Sequence, residues 1–213
     1  MLKFDVDAYL GAVTRTVSAL ERDGQPARAV TLSRLYDTDI DDLWDALTNP
    51  ERLPRWFLPV EGDLEPGGRY QLKGNAGGTI TACEPPRLFD ITWEFGGGMS
   101  WVELRLSQAT AERTRLTLRH IAPVNEHWEK FGPGAVGVGW ELGLLGLALH
   151  LADPTAKFDE AAFSASAEAK RFMQGSSEAW GEADIAGGED PAQARAAAGR
   201  TGAFYTGSPP PEN

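Results

Sequence analysis

Three histidines, one cysteine and a handful of serines are what this 213-residue chain offers for metal or nucleophilic chemistry. His120, His127 and His150 show no HExxH spacing and Cys83 has no CxxC partner, so no metal site is expected. No GxSxG occurs, and Ser100 and Ser107 fall in ordinary strand alternation, which leaves a nucleophilic triad unsupported. GGRYQLKGNAGG has glycines but no phosphate-loop spacing, so no cofactor is expected either. His120 is the one candidate catalyst: alternation puts it on an apolar strand face, and an imidazole of pKa about 6.5 suits proton transfer at neutral pH. The competing role, for it and for His150, is that of a core histidine bonded to a backbone carbonyl. Cys83, beside Glu84 and two prolines, reads as a small buried hydrophobe.

The elements that position His120 follow from the pattern around it. The segments TITACEPPRLFDITWEF, SWVELRLS and TRLTLRHI alternate with period 2 and are joined by short turns, so they predict an antiparallel meander. Phe89, Ile91, Trp93 and Phe95 share one face with Val102, Leu104 and Leu106, and with Leu116, Leu118 and His120. The opposite face carries Asp90, Glu94, Glu103, Arg105, Arg115 and Arg119. The apolar face must be covered. Ahead of the meander, RAVTLSRLY predicts a strand, and TDIDDLWDALTNP a helix capped by Asp37 or Thr38 with Ile40, Leu43, Trp44 and Leu47 on its apolar side. ERLPRWFLP predicts a short helical turn presenting Trp56 and Phe57, and EGDLEPGGRYQL a turn into a strand.

The natural cover is GPGAVGVGWELGLLGLALHLADP, Gly132 to Pro154. At 100° per residue Gly139, Gly143, Gly146 and His150 form a stripe. Trp140, Leu144, Leu147 and Leu151 flank it on one side, Leu142 and Leu149 on the other, and Glu141 and Ala148 lie opposite. Each interior glycine costs roughly 1 kcal/mol relative to alanine. Two explanations stand: close approach of helix and sheet, or space left for a ligand. A membrane span is not expected, because Glu141 interrupts the run and its clean portion, Leu142 to Leu149, is far short of the roughly 20 residues needed.

At the N-terminus, Val6, Leu10, Val13, Val17 and Leu20 have the spacing of a one-sided helix, ended by RDGQPAR. After Pro154, FDEAAFSASAEAKRFMQGSSEAW puts Phe158, Ala162, Ala165, Ala169 and Phe172 on one helical face ending near Gly175. DPAQARAAAGRTGAFYTG opens a second helix on an Asp-Pro cap. These terminal helices could form a layer on the Glu141 side of the glycine helix, and a homodimer interface is the competing use of that surface. The balance of 20 Lys and Arg against 31 Asp and Glu, net −11, excludes nucleic acid and anionic membranes as main partners. The single cysteine suits a reducing cytoplasm, and MLKFDVDAYLGAV lacks the pattern of a signal peptide.

Taken together, LWDALTNPERLPRWF, GDLEPGGRY, GGTITACEPPRLFDITWEF, TRLTLRH and HWEKFGPGAVGVGWELGLLGLALHL resemble the START/Bet v1-like (SRPBCC) superfamily, and most of all its Hsp90-ATPase-activator-homologue branch. The resemblance implies an α+β helix-grip fold, in which a long C-terminal helix lies across a curved antiparallel sheet and encloses an apolar cavity. It covers a domain at 28–154, with helical extensions at 1–27 and 155–213. It also implies binding of a small apolar or aromatic, lipid- or polyketide-like molecule without turnover. Two rivals belong to the same resemblance: a cyclase or dehydratase using His120, and a module that modulates a chaperone-type ATPase. On this reading the ligand meets Trp93, Phe95, Leu104, Leu118 and His120 from the sheet, and Trp56 and Phe57 from the turn. The helix adds Gly139, Trp140, Gly143, Leu144 and Leu147.

Overall fold

A computed structural model describes residues 5–155 and 160–209. Helix α1 (Val6–Gly11) leads into a hairpin of β1 (Thr14–Arg22) and β2 (Gln25–Tyr36). Helix α2 (Ile40–Thr48) and a 3₁₀ turn (Leu53–Arg55) follow. The meander then runs through β3 (Val60–Gly62), β4 (Arg69–Leu72), β5 (Gly77–Glu84), β6 (Leu88–Phe95), β7 (Gly98–Thr110) and β8 (Arg113–Pro123). Helices α3 (Glu126–Phe131), α4 (Gly134–Ala152), α5 (Glu160–Ser164), α6 (Ala167–Ala186) and α7 (Pro191–Thr206) complete the chain. The strands form one open sheet in the order β1-β2-β8-β7-β6-β5-β4-β3, antiparallel from β8 to β3. This is an α+β architecture with the element order of a helix-grip domain.

The expected N-terminal helix is corrected. Only Val6–Gly11 is helical, held by Asp5, whose carboxylate accepts from the amides of Asp7 and Ala8. From Thr14 the chain is a strand. Asp23 and Gly24 both take positive φ (52° and 75°), which gives the two-residue turn whose twist matches a hairpin. The dipeptide Asp-Gly, at the end of a strand that opens on β-branched Val13, Thr14, Thr16 and Val17, outweighs a five-residue helical spacing. Two helix ends also move. The cap of α2 is Asp39, whose carboxylate accepts from the Asp42 amide, while the Thr38 hydroxyl donates to the Asp42 carboxylate. Helix α6 continues through Gly175 to Ala186, and Phe158 lies outside the described residues. Helix α7 starts on the expected Asp190 cap and Pro191.

The chain divides into two compact units, one of Met1–Leu32, Pro123–Leu145 and Lys157–Asn213, the other of Ser33–Ala122 and Gly146–Ala156. In the first, the terminal elements pack on the leading half of α4. The Trp180 indole lies where a Cβ on Gly137 would be, and a Cβ on Gly134 would sit 3.0 Å from the Thr201 methyl. Arg15 of β1 forms a buried ion pair with Glu141. The layer expected on the Glu141 side therefore exists, with a strand contributing where a helix was expected. Among the described residues α4 is the one helix long and apolar enough to cross a membrane, and the Glu141 pair lies at its middle.

In the second unit, register sets the two sheet faces. Trp93 stands opposite Ser100, Ile91 opposite Val102 and Phe89 opposite Leu104. Val102 stands opposite His120, Leu104 opposite Leu118 and Leu106 opposite Leu116. Directly opposed residues share a face, so the apolar face is the one the alternation predicts. The other face is laced by ion pairs of Arg105 with Asp90 and of Arg119 with Glu103. Exposed pairs of this kind contribute at most about 1 kcal/mol each.

Candidate ligand-binding face

His120 is 4% exposed, and its Nε2 lies 2.9 Å from the Ser100 hydroxyl oxygen. That hydroxyl in turn donates to the Trp93 carbonyl at 3.2 Å, which leaves the imidazole Nε2–H to donate to Ser100. Burial pushes the His120 pKa down to about 4. The Trp93 ring meets the imidazole edge-on, with centroids 6.4 Å apart. The His120 Nε2 is thus engaged by a side-chain hydroxyl, a partner that the sequence reading did not name. In sequence Ser100 has unremarkable strand neighbours; its placement opposite Trp93 is the signal that identifies it.

Around this polar pair the face is incompletely covered. Leu118 and Val102 are buried at 2%, but Trp93, Leu104 and Phe89 are only half-buried, and Phe95, at the hairpin end of β6, is 61% exposed. The structure thus brings Trp93, Leu104, Leu118 and His120 together and leaves Phe95 at the rim. Trp56 and Phe57 stack at 5.4 Å and 27°, both half-buried. Trp56 is committed to the scaffold, because its indole N–H donates to the Ala46 carbonyl at 2.9 Å and fixes the 3₁₀ segment to α2. Leu147 is fully buried.

The remaining four expected residues belong to the first unit. Gly139 is exposed, with the Tyr205 hydroxyl 3.1 Å from where its Cβ would be. Trp140 and Gly143 are half-buried and Leu144 is 4% exposed. Of the glycine stripe, Gly146 makes a tight contact: a Cβ there would stand 2.6 Å from the Trp56 carbonyl oxygen. Close approach is therefore the reason for that glycine.

His150, next on the stripe, is not a lone core histidine. Its Nε2 accepts from Arg52 Nε at 3.1 Å, and Arg52 Nη1 bridges the Asp42 carboxylate at 2.6 Å and the Asp45 carboxylate at 3.1 Å. Burial and the Arg52 and Arg55 charges lower its pKa. Separately, a cleft of about 430 Å³ opens between Ile40 and Asp41, Pro86 and Arg87, and Leu106 to Gln108. Its walls mix charge with apolar surface and include neither His120 nor Trp93. Among the described residues no group of three or more His, Cys, Asp or Glu is placed to hold a metal.

The chain matches the family model described as Activator of Hsp90 ATPase homolog 1-like protein over residues 37–152. CalU16 from Micromonospora echinospora is 35% identical, over 81% of this chain and 98% of that one, with a TM-score of 0.67. That coverage exceeds what residues 37–152 supply, so CalU16 shares part of the terminal elements too. MLL2253 from Mesorhizobium loti is 22% identical over 61% of this chain and 99% of that one, with a TM-score of 0.52. DynU16, from the dynemicin biosynthetic locus, is 23% identical over 59% of this chain and 48% of that one, also at 0.52. Both share the fold. No curated protein sequence matches the chain.

Proposed function

We propose, from the premise that the chain belongs to the Activator of Hsp90 ATPase homolog 1-like family, that it binds a small apolar or aromatic molecule without turning it over. The observation that carries this reading is the half-buried state of Trp93, Leu104 and Phe89 beside the enclosed His120–Ser100 pair. A sealed core would bury such side chains, since covering each fully is worth about 1.5–3 kcal/mol. Apolar walls with one placed polar group are what a small-molecule site needs. The ligand then lies against Trp93, Leu104, Leu118 and His120, with Phe57 and Phe95 at its margins. The chaperone-ATPase and homodimer readings call for a protein surface and leave this face unused.

Turnover is disfavoured on chemical grounds. An acid–base role needs a pKa near the working pH, and His120 is held at about 4 with Nε2 engaged by Ser100. A reducing cytoplasm suits the lone, half-buried Cys83, whose thiol burial pushes up in pKa. The net charge of −11 speaks for a neutral small molecule over nucleic acid.

The test is native mass spectrometry of freshly purified protein together with titration by Nile red. Retained mass or saturable probe binding is expected, and Leu104→Trp should abolish it while the protein stays folded. Absence of saturable binding, or binding indifferent to Leu104→Trp, sinks the reading. Conversion of the bound molecule to a product would replace it with the cyclase reading.

A further inference from the structure

Two contacts join the 3₁₀ segment and its flanks to the end of α4. Within the second unit, Gly146 sits against the Trp56 carbonyl, and His150, one turn later on the same side of the helix, accepts from Arg52. The two contacts hold the Arg52–Phe57 stretch at both ends. One is steric and indifferent to pH. The other exists only while His150 Nε2 carries a lone pair, because an Arg guanidinium has donors and no acceptor. We propose that the Arg52–His150 hydrogen bond is an acid-released latch that holds the Trp56–Phe57 step against the last turns of α4.

The charged groups around His150 decide the direction. From the 3₁₀ segment it faces Arg52 and Arg55; from α2 it faces Asp42, with Asp45 behind the same guanidinium. The Asp42 carboxylate already accepts from Arg52 Nη1 at 2.6 Å and from the Thr38 hydroxyl, also at 2.6 Å, so it is engaged by other donors. Protonation puts an imidazolium N–H against the Arg52 N–H, turning an attraction into a like-charge contact at a residue only 6% exposed. Folded His150 has its pKa lowered from 6.5, so the bond persists into mild acid and is lost as the pH falls through that lowered value. Loss of the bond frees one end of the step that carries Trp56 and Phe57. The latch is a property of the fold and does not rest on the ligand reading.

Hydrogen exchange of the full chain, read by mass spectrometry and corrected for intrinsic rates, tests it. Between pH 7.5 and 4.5 the wild type should lose protection about tenfold or more in Leu53–Leu58 and Gly146–Leu151, while Ile91, Val102 and Leu118 stay protected. The midpoint should coincide with the titration of His150 followed by NMR. His150→Gln places an amide oxygen where Nε2 stands and should remain protected at both pH values. The same acid loss in His150→Gln, or no loss in the wild type, overturns the latch. Should His150→Gln be unprotected throughout, the wild-type midpoints decide: coincidence supports the latch and separation overturns it.

Discussion

Arg15 and Glu141, 126 positions apart, meet in a two-pronged ion pair, Nε to Oε1 at 2.7 Å and Nη2 to Oε2 at 2.6 Å, with the glutamate fully buried. Arg15 also donates through Nη1 to the Leu10 and Val13 carbonyls, so the pair ties α1, β1 and α4 together. Removing one partner strands a buried charge, which typically costs about 3–5 kcal/mol, whereas replacing both by apolar residues of similar size is often neutral. Arg15→Met should lower stability in urea melts by that amount. Arg15→Met combined with Glu141→Leu should recover most of it. A double variant whose loss equals the sum of the losses of Arg15→Met and Glu141→Leu made singly would mean that the pair contributes no coupling.

His120 supplies a pH signature. Its folded pKa of about 4 lies below the unfolded value of about 6.5, so the unfolded state binds the extra proton first. The stability it contributes is therefore complete above pH 6.5 and is lost as the pH falls towards 4, by on the order of 3 kcal/mol. His120→Gln keeps a donor for Ser100 and should flatten this acid limb in thermal melts from pH 7 to 4.5. Nile red affinity should change only modestly, and no product should form with either protein. Turnover by the wild type that vanishes in this variant would overturn the binding reading.

The sheet was readable because a period of two needs only local information: alternation placed Trp93, Leu104, Leu118 and His120 on one face before any register was known. The hairpin at Asp23-Gly24 is equally local, but the five apolar residues from Val6 to Leu20 ahead of it mimic the spacing of a helix. Other features are not local at all. No spacing rule joins Arg15 to Glu141 or Arg52 to His150, and only the folded chain reveals that two charged residues serve as glue. The glycine stripe lies between these cases. Its periodicity is in the sequence, but whether Gly146 meets backbone or space depends on where Trp56 ends up.

Asp184 should make the protein more stable in mild acid. It is 5% exposed on α6, and burial, with Glu189 nearby, raises its pKa to about 6 against the partial opposition of Arg28. A raised carboxyl pKa means that the folded state binds the proton more tightly. Its stabilising effect is complete below the unfolded pKa of about 3.9 and is lost as the pH rises through 6. The charged form then costs on the order of 2–3 kcal/mol at neutral pH. Asp184→Asn should raise the melting temperature at pH 7.5 and leave it nearly unchanged at pH 4. A variant destabilised at pH 7.5 would show that the carboxylate's attraction to the Arg28 charge outweighs its burial.

Gly146, on α4, should not tolerate even the smallest side chain. At Gly146 even a methyl group would lie 2.6 Å from the Trp56 carbonyl oxygen, and that backbone is pinned by the indole hydrogen bond to Ala46. Overpacking typically costs about 1–3 kcal/mol, more than the roughly 1 kcal/mol that alanine returns in helix propensity. Gly146→Ala should therefore lower the urea midpoint. A midpoint that stays or rises would mean that the Trp56 carbonyl yields, and that close approach is not what Gly146 serves.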